Sequence, residues 1–398
     1  MWFFYAPNLI FGDGALDHLE QIPGTKCFVV TDPGIVQAGL LEILTKKLDA
    51  CGKSYEVFSE VEPDPHEETI YRAAEQCRAY EPDIIIGLGG GSSLDSAKCV
   101  WVFYERPDLK TVDEIHPFQQ LNTGVKAKLV AIPTTSGTGA ETTSAVVVTR
   151  INPDGVAVKL EQLNKEVIPT YAIVDPVFPK GMPAKLTTAT AFDALGHCLE
   201  CLVSTWRNVF SDAFAVHATK MIFEYLPRVV KDPSDLEARE QMHNAATMAG
   251  LAFGNSQVHI GHGIAHVLGA VFHVPHGVAV GLTIPGVMEY VINNPDDPAS
   301  RDKYSWAAKA LGVASWDDEP AAAAKKLVEK VRELQSTCGF PLTLRDAGVT
   351  REQLDDKIEQ VTDLCLQSGA VVMCPRPIRK ETFRKLVEYS FEGKPVDF

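Results

Sequence analysis

Five of the eleven histidines in this 398-residue chain fall between positions 259 and 276: His259, His262, His266, His273 and His276. At roughly 2% background usage, fewer than one would be expected in such a window. Upstream, Asp193 and His197 stand four residues apart in the strongly helical segment Ala191-Phe-Asp-Ala-Leu-Gly-His-Cys-Leu-Glu200. That spacing puts a carboxylate and an imidazole on one helix face. His262 and His266 repeat it, and His276 follows Pro275, where one helix must end and a new segment can begin. Two helices with inward donors, plus a histidine from the next segment, could enclose one divalent ion. One Asp with three His suits Fe2+ or Zn2+, and spacing does not separate the two.

A second chemistry lies in the glycines. The apolar run Ile84–Leu88 leads directly into Gly89-Gly-Gly-Ser-Ser-Leu-Asp-Ser-Ala-Lys98, a bare turn followed by a helix start. Such a turn lets a phosphate approach the backbone, and the following N–H groups, with Ser92 or Ser93, can bind it at the positive helix end. It is neither the GxGxxG fingerprint nor a P-loop. A second loop, Pro133-Thr-Thr-Ser-Gly-Thr-Gly-Ala-Glu141, adds the hydroxyls of Thr134, Thr135, Ser136 and Thr138. Two such loops at strand C-termini make a crevice of the kind in which open α/β sheets hold nucleotides. Asp32, which ends the first strand before Pro33-Gly34, can accept hydrogen bonds from a ribose diol. A nucleotide crevice combined with a metal cluster points to hydride transfer, the metal polarising a carbonyl or holding an alkoxide that faces a nicotinamide.

These groups need elements to carry them. In the first half, short β-rich runs (27–31, 54–58, 83–88, 129–132, 145–149 and 171–174) alternate with helical patterns such as Glu67–Tyr80, which predicts βαβ units and a mainly parallel sheet. After Asp175-Pro-Val-Phe-Pro-Lys-Gly-Met-Pro183 long Ala/Leu/Glu-rich helices take over, as in 184–203, 211–226, 236–253 and 321–338. The Pro/Gly cluster predicts a boundary between an α/β dinucleotide-binding domain (1–180) and an all-helical metal-binding and substrate domain (181–398). With 52 acidic against 37 basic residues and a formal charge of −15, the surface repels nucleic acid and anionic membranes. The start lacks a basic n-region, and no apolar run approaches the ~18 residues of a membrane span. Nine scattered cysteines read as reduced, buried thiols, including the close pair Cys198 and Cys201. The expectation is a cytoplasmic protein.

Taken together, the two glycine-rich motifs, Asp193-Ala-Leu-Gly-His197, and Gly261-His-Gly-Ile-Ala-His-Val-Leu-Gly-Ala270 continuing to Pro275-His-Gly277 resemble the group III, iron-dependent alcohol dehydrogenases over almost the full chain. The resemblance implies metal ligands Asp193, His197, His262 and His276, with Fe2+ favoured over Zn2+. It places His266 near substrate and nicotinamide, so that His262 and His266 carry the catalysis. It implies NAD(H) contacts from Asp32, Gly89, Gly90, Gly91, Ser92, Ser93, Asp95, Lys98, Thr134, Thr135, Ser136 and Thr138, with Lys159 near the crevice, and a homodimer or higher homo-oligomer. The alternatives are a glycerol-type zinc polyol dehydrogenase and a lyase resembling dehydroquinate synthase. Ser256-Gln-Val-His-Ile-Gly261 and Cys374-Pro-Arg376 depart from the common pattern, so the substrate is not carried over. His259, His262 and His266, at i, i+3 and i+7, predict one helix face. With His273 and Phe253 near the pocket, that face suggests a small aldehyde with a polar or anionic tail.

Overall fold

The run Ile84-Ile-Ile-Gly-Leu-Gly89 presents no polar side chain to water, and it forms a strand buried along its whole length. Near-continuous apolar strands of this kind belong in parallel sheets covered on both faces. In the computed structural model, which describes residues 3–152 and 157–398, the chain divides into two compact units, Met1–Gly181 and Met182–Phe398.

The strands of the first unit are β1 (Asn8–Phe11), β2 (Lys26–Val30), β3 (Ser54–Phe58), β4 (Ile84–Gly89), β5 (Lys128–Pro133), β6 (Ala145–Ile151), β7 (Ala157–Leu163) and β8 (Tyr171–Val174). Its helices are α1 (Pro33–Gln37), α2 (Leu40–Ala50), α3 (Glu67–Tyr80) and α4 (Gly91–Glu105). Six strands form one parallel sheet in the order β1-β8-β5-β4-β2-β3. The chain runs outward from β2 to β3 and then returns to place β4 on the other side of β2. That reversal is a topological switch point, where open α/β sheets bind ligands beyond the strand C-termini. Gly89 pairs with Pro133, so the two glycine-rich loops leave the sheet side by side.

Two details differ from the sequence expectation. The strand expected at 145–149 stands outside the main sheet, paired antiparallel with β7. β1 and β7 themselves carry little signal: one has four residues, and the other interrupts its apolar positions with Lys159, Glu161 and Gln162.

The second unit is helical: α5 (Ala184–Cys201), α6 (Val209–Lys231), α7 (Leu236–Phe253), α8 (Ile260–Phe272), α9 (His276–Ile292), α10 (Ala299–Ala310), α11 (Pro320–Thr337), α12 (Arg351–Gln367) and α13 (Lys380–Glu392). From Ala191 to Cys201 every residue of α5 is buried, as expected of a helix surrounded by others. Asp193, His197 and Glu200 lie in that stretch, and polar groups so enclosed are costly unless something partners them. Among the described residues no helix is long and apolar enough to cross a membrane.

Candidate active site

Helix α5 contributes Asp193, α8 contributes His262, and α9 opens with His276. One ligand atom from each lies within 4.8 Å of the other two. From Asp193 Oδ1 the Nε2 atoms stand at 3.2 Å (His276), 3.6 Å (His262) and 3.9 Å (His197). The approach of α9 to α5 depends on Gly277, where a Cβ would fall 2.2 Å from the Ala189 carbonyl oxygen. His197 lies outside the three-residue group. Its ring stacks on Phe253 (centroids 4.0 Å apart) and on His262 (4.5 Å).

Electrostatics favour a cation here. Burial alone would raise the Asp193 carboxyl, but His197, His276 and His262 outweigh it and hold the group well below the usual carboxylate range. Burial pushes His197 down to about 3, so its ring is neutral. His262 moves up to about 9, because Glu200 and Asp193 more than offset the burial that disfavours its charged form. For Glu200 burial again opposes ionisation, and His259, His262 and the Gly261 N–H overcome it, drawing the group to about 2.

Asp193 Oδ1 and His262 Nε2 are enclosed without an aligned hydrogen-bond partner. In a tetrahedral centre with bonds of about 2.1 Å, neighbouring ligand atoms stand about 3.4 Å apart. The 3.2–3.9 Å separations from Asp193 Oδ1 suit such an ion. One carboxylate oxygen with imidazole nitrogens fits Fe2+ or Zn2+.

The other expected histidines separate. His266 is half-buried one turn along α8, its ring stacked 5.0 Å from His276, beside the group and not in it. His259 requires a correction. It is the N-cap of α8, not part of it, with φ −135° and ψ −140°, and it follows Gln257 at φ 67°. The common face expected for 259, 262 and 266 therefore does not exist. His259 is 0% exposed with Nδ1 3.2 Å from Glu200 Oε1, so it cannot touch a substrate tail. His273 is exposed in the left-handed position that ends α8. Arg376, in the departing Cys374-Pro-Arg376 run, donates to the carbonyls of Tyr290 (2.6 Å) and Phe398 (3.0 Å).

Sequence reasoning passed over Glu200. It lies seven residues after Asp193 on the same face of α5, and that spacing was the available signal. Buried, it accepts the backbone N–H groups of Gly261 (2.5 Å), His262 (3.2 Å) and His259 (3.3 Å), and its Oε2 lies 2.5 Å from His262 Nδ1.

In the first unit the glycine loop leads into the 15-residue α4, whose opening residues Gly91 and Ser92 are partly exposed. Helix N-termini of this kind are anion sites. The Thr134 N–H donates to the Gly89 carbonyl (3.0 Å), and its hydroxyl oxygen is buried without a hydrogen-bond partner. Asp32 Oδ1 accepts the Ile35 N–H (3.0 Å), capping α1, and Oδ2 accepts the Ser93 hydroxyl (2.9 Å). Asp32 thus joins the end of β2 to the start of α4, and its oxygens keep lone pairs for further donors. Thr135 and Thr138 are half-buried and Ser136 is buried.

Asp95 and Lys98 leave the cofactor set. Lys98 is 0% exposed and donates to Asp95 Oδ1 (3.2 Å), Thr143 Oγ1 (3.1 Å) and the Ala145 carbonyl (2.8 Å). All three ammonium donors are occupied. Asp95 Oδ2 accepts the Val147 N–H (3.0 Å), so the pair ties α4 to β6. Lys159 pairs with Asp64 and donates to Thr149 Oγ1 (3.1 Å).

Known proteins agree with this picture. The family model described as iron-containing alcohol dehydrogenase matches residues 6–176, and its C-terminal counterpart matches 187–391. The chain is 35% identical over 400 residues to an NADPH-dependent butanol dehydrogenase of Clostridium saccharobutylicum, covering 100% of both proteins. Among solved structures, an iron-containing alcohol dehydrogenase from Thermococcus thioreducens superposes with a TM-score of 0.87 at 29% identity, covering 99% of this chain and 100% of that one. A sulfoacetaldehyde reductase from Bifidobacterium kashiwanohense in complex with NAD+ superposes with a TM-score of 0.83 at 25% identity, covering 98% of each. The chain belongs to the iron-containing alcohol dehydrogenase family.

Proposed function

We propose that this protein is a metal-dependent, NAD(H)-linked alcohol dehydrogenase and aldehyde reductase for small primary alcohols, with Asp193, His197, His262 and His276 as metal ligands. One observation carries the reading: Asp193 Oδ1 and His262 Nε2 are buried without aligned partners, and imidazole nitrogens surround the carboxylate at 3.2–3.9 Å. A divalent ion held by these residues (iron by family, zinc by the same donor set) would supply Lewis-acid polarisation of the aldehyde oxygen. A bound nicotinamide cofactor would supply or accept the hydride. Asp193 provides the anionic ligand, and His266, stacked on His276 beside it, is the imidazole available for proton transfer with the substrate oxygen. The N–H groups at the start of α4 and the Thr134 hydroxyl bind the cofactor phosphates. Family models matching both halves of the chain favour this over a lyase.

Asp32 supports NAD(H), since a carboxylate there hydrogen-bonds a ribose diol and repels a 2′-phosphate. The butanol dehydrogenase is named for NADPH, whereas the sulfoacetaldehyde reductase holds NAD+, so the family accommodates both. The names also span an apolar alcohol and a sulfonated aldehyde. With His259 enclosed, a charged tail loses the imidazole that recommended it, and the reading commits to short, uncharged aldehydes. A homo-oligomer is supported by β1, which is the outer strand of the six-stranded sheet and carries Phe11 66% exposed. Nine free cysteines support a reducing, cytoplasmic setting.

The test is NADH oxidation with butanal by chelated protein before and after Fe2+ or Zn2+ is restored. Activity should vanish and return. Turnover that survives complete metal removal sinks the reading.

A further inference from the structure

Metal sites depend on what holds their ligands as much as on the ligands themselves. We infer that Glu200 is a positioning residue that fixes the tautomer and orientation of His262, a role that rests on the metal-dependent reading above. His262 Nδ1 lies 2.5 Å from Glu200 Oε2. A carboxylate oxygen accepts and does not donate, so Nδ1 must keep its proton, and Nε2 is the nitrogen whose proton a metal ion would displace to take its lone pair. Nε2 is the atom turned toward Asp193 Oδ1, at 3.6 Å, and it has no other aligned partner.

The carboxylate is itself locked from several directions. Oε1 accepts the Gly261 N–H at 2.5 Å, and Oε2 accepts the N–H groups of His262 at 3.2 Å and His259 at 3.3 Å. A side chain at Gly261 would intrude, because its Cβ would fall 2.5 Å from Oε1. Glu200 therefore takes N–H groups from the first turn of α8 and holds the imidazole borne by that turn. Its partner His259 lies behind it, away from any ligand role. Asp193 and Glu200 divide the work along one face of α5, the first at the ion and the second behind the imidazole.

Glu200→Gln separates this role from simple capping. Gln keeps an oxygen for the Gly261 N–H but can offer His262 an N–H where it had an acceptor. That favours the opposite tautomer, with a proton on Nε2 in place of the lone pair. Metal-stripped wild type and Glu200→Gln should be titrated with Zn2+ in competition with a chromophoric chelator, alongside thermal melts of both stripped proteins. Outer partners of metal ligands are typically worth 10–100-fold in affinity, and a loss of about that size is expected. A cap alone would lower the melting temperature of the stripped variant and leave Zn2+ affinity within about twofold, which would overturn the role. No Zn2+ binding by wild type would remove the metal centre itself, and this role with it, so the two failures are distinguishable. A measurement on wild type does not depend on the variant folding. In Zn2+-loaded protein labelled with 15N-histidine, His262 should show a protonated Nδ1. A deprotonated Nδ1 would overturn the inference.

Discussion

The metal cluster and the nucleotide loops solve the problem of holding a ligand in opposite ways. In the helical unit the ligand atoms belong to side chains, and they are buried, mutually charged and set by how closely α5, α8 and α9 pack. In the α/β unit the binding groups are backbone N–H donors and hydroxyls at a switch point, and the ionic residues nearby are scaffold. The difference shows in the fate of the charged residues. Asp193 and Glu200 each act directly on His262, whereas Asp95 and Lys98 pair with each other. Single substitutions should therefore change ligand binding steeply in one unit and gradually in the other.

The steepest expected change is Asp193→Asn. Removing the anionic ligand should abolish stoichiometric metal and lower turnover roughly a thousandfold, about 4 kcal/mol of barrier. NADH affinity should stay within about twofold. Elemental analysis and NADH fluorescence titration would check both, and full metal content with normal turnover would dismantle the cluster as drawn.

Next is Lys98→Met, which reaches the same kind of buried charge in the other unit. It leaves Asp95 enclosed without its cation, and breaking a buried pair costs about 3–5 kcal/mol. Denaturant unfolding should register that loss while the Michaelis constant for NADH moves little. A large rise in that constant with unchanged stability would return Lys98 to the cofactor site.

Asp32→Gly should act more mildly. Loss of the carboxylate should shift the ratio of catalytic efficiencies with NAD and NADP by about tenfold toward NADP, since 1–2 kcal/mol of discrimination is at stake. Losing the cap on Ile35 costs little, because Gly is itself a tolerated N-cap. An unchanged ratio would show that Asp32 only caps α1 and holds Ser93.

The smallest effect belongs to Ser93→Ala, which removes one neutral-to-charged hydrogen bond to Asp32. About 1 kcal/mol of stability and a few-fold change in NADH affinity are expected. A hundredfold loss of affinity would mean that the hydroxyl binds phosphate itself, and the contrast between the units would be overdrawn.

Much of this was open to reading from residue order. The i, i+4 spacing of Asp193 and His197, the histidines crowded between 259 and 276, and the glycine loop after an apolar strand all follow from local geometry. Period and composition act within a few residues, so they survive without knowledge of the fold. The same reasoning failed at His259, where periodicity placed on the helix a residue whose backbone lies outside it. It failed at Lys98, whose partners Thr143 and Ala145 arrive only when β6 is laid against α4. It passed over Glu200, whose spacing was visible but whose partners lie about sixty residues on.

Residue order alone determined the type of most elements, the change from an α/β half to a helical half, and the stock of ligand atoms, because each depends on short-range periodicity and chemistry. Tertiary structure decided which of those atoms meet. Asp193 faces His262 and His276 because Gly277 lets α9 close on α5, and Glu200 faces His262 because Gly261 leaves it room. Contacts between distant segments depend on packing in three dimensions, and spacing along one chain carries no measure of it.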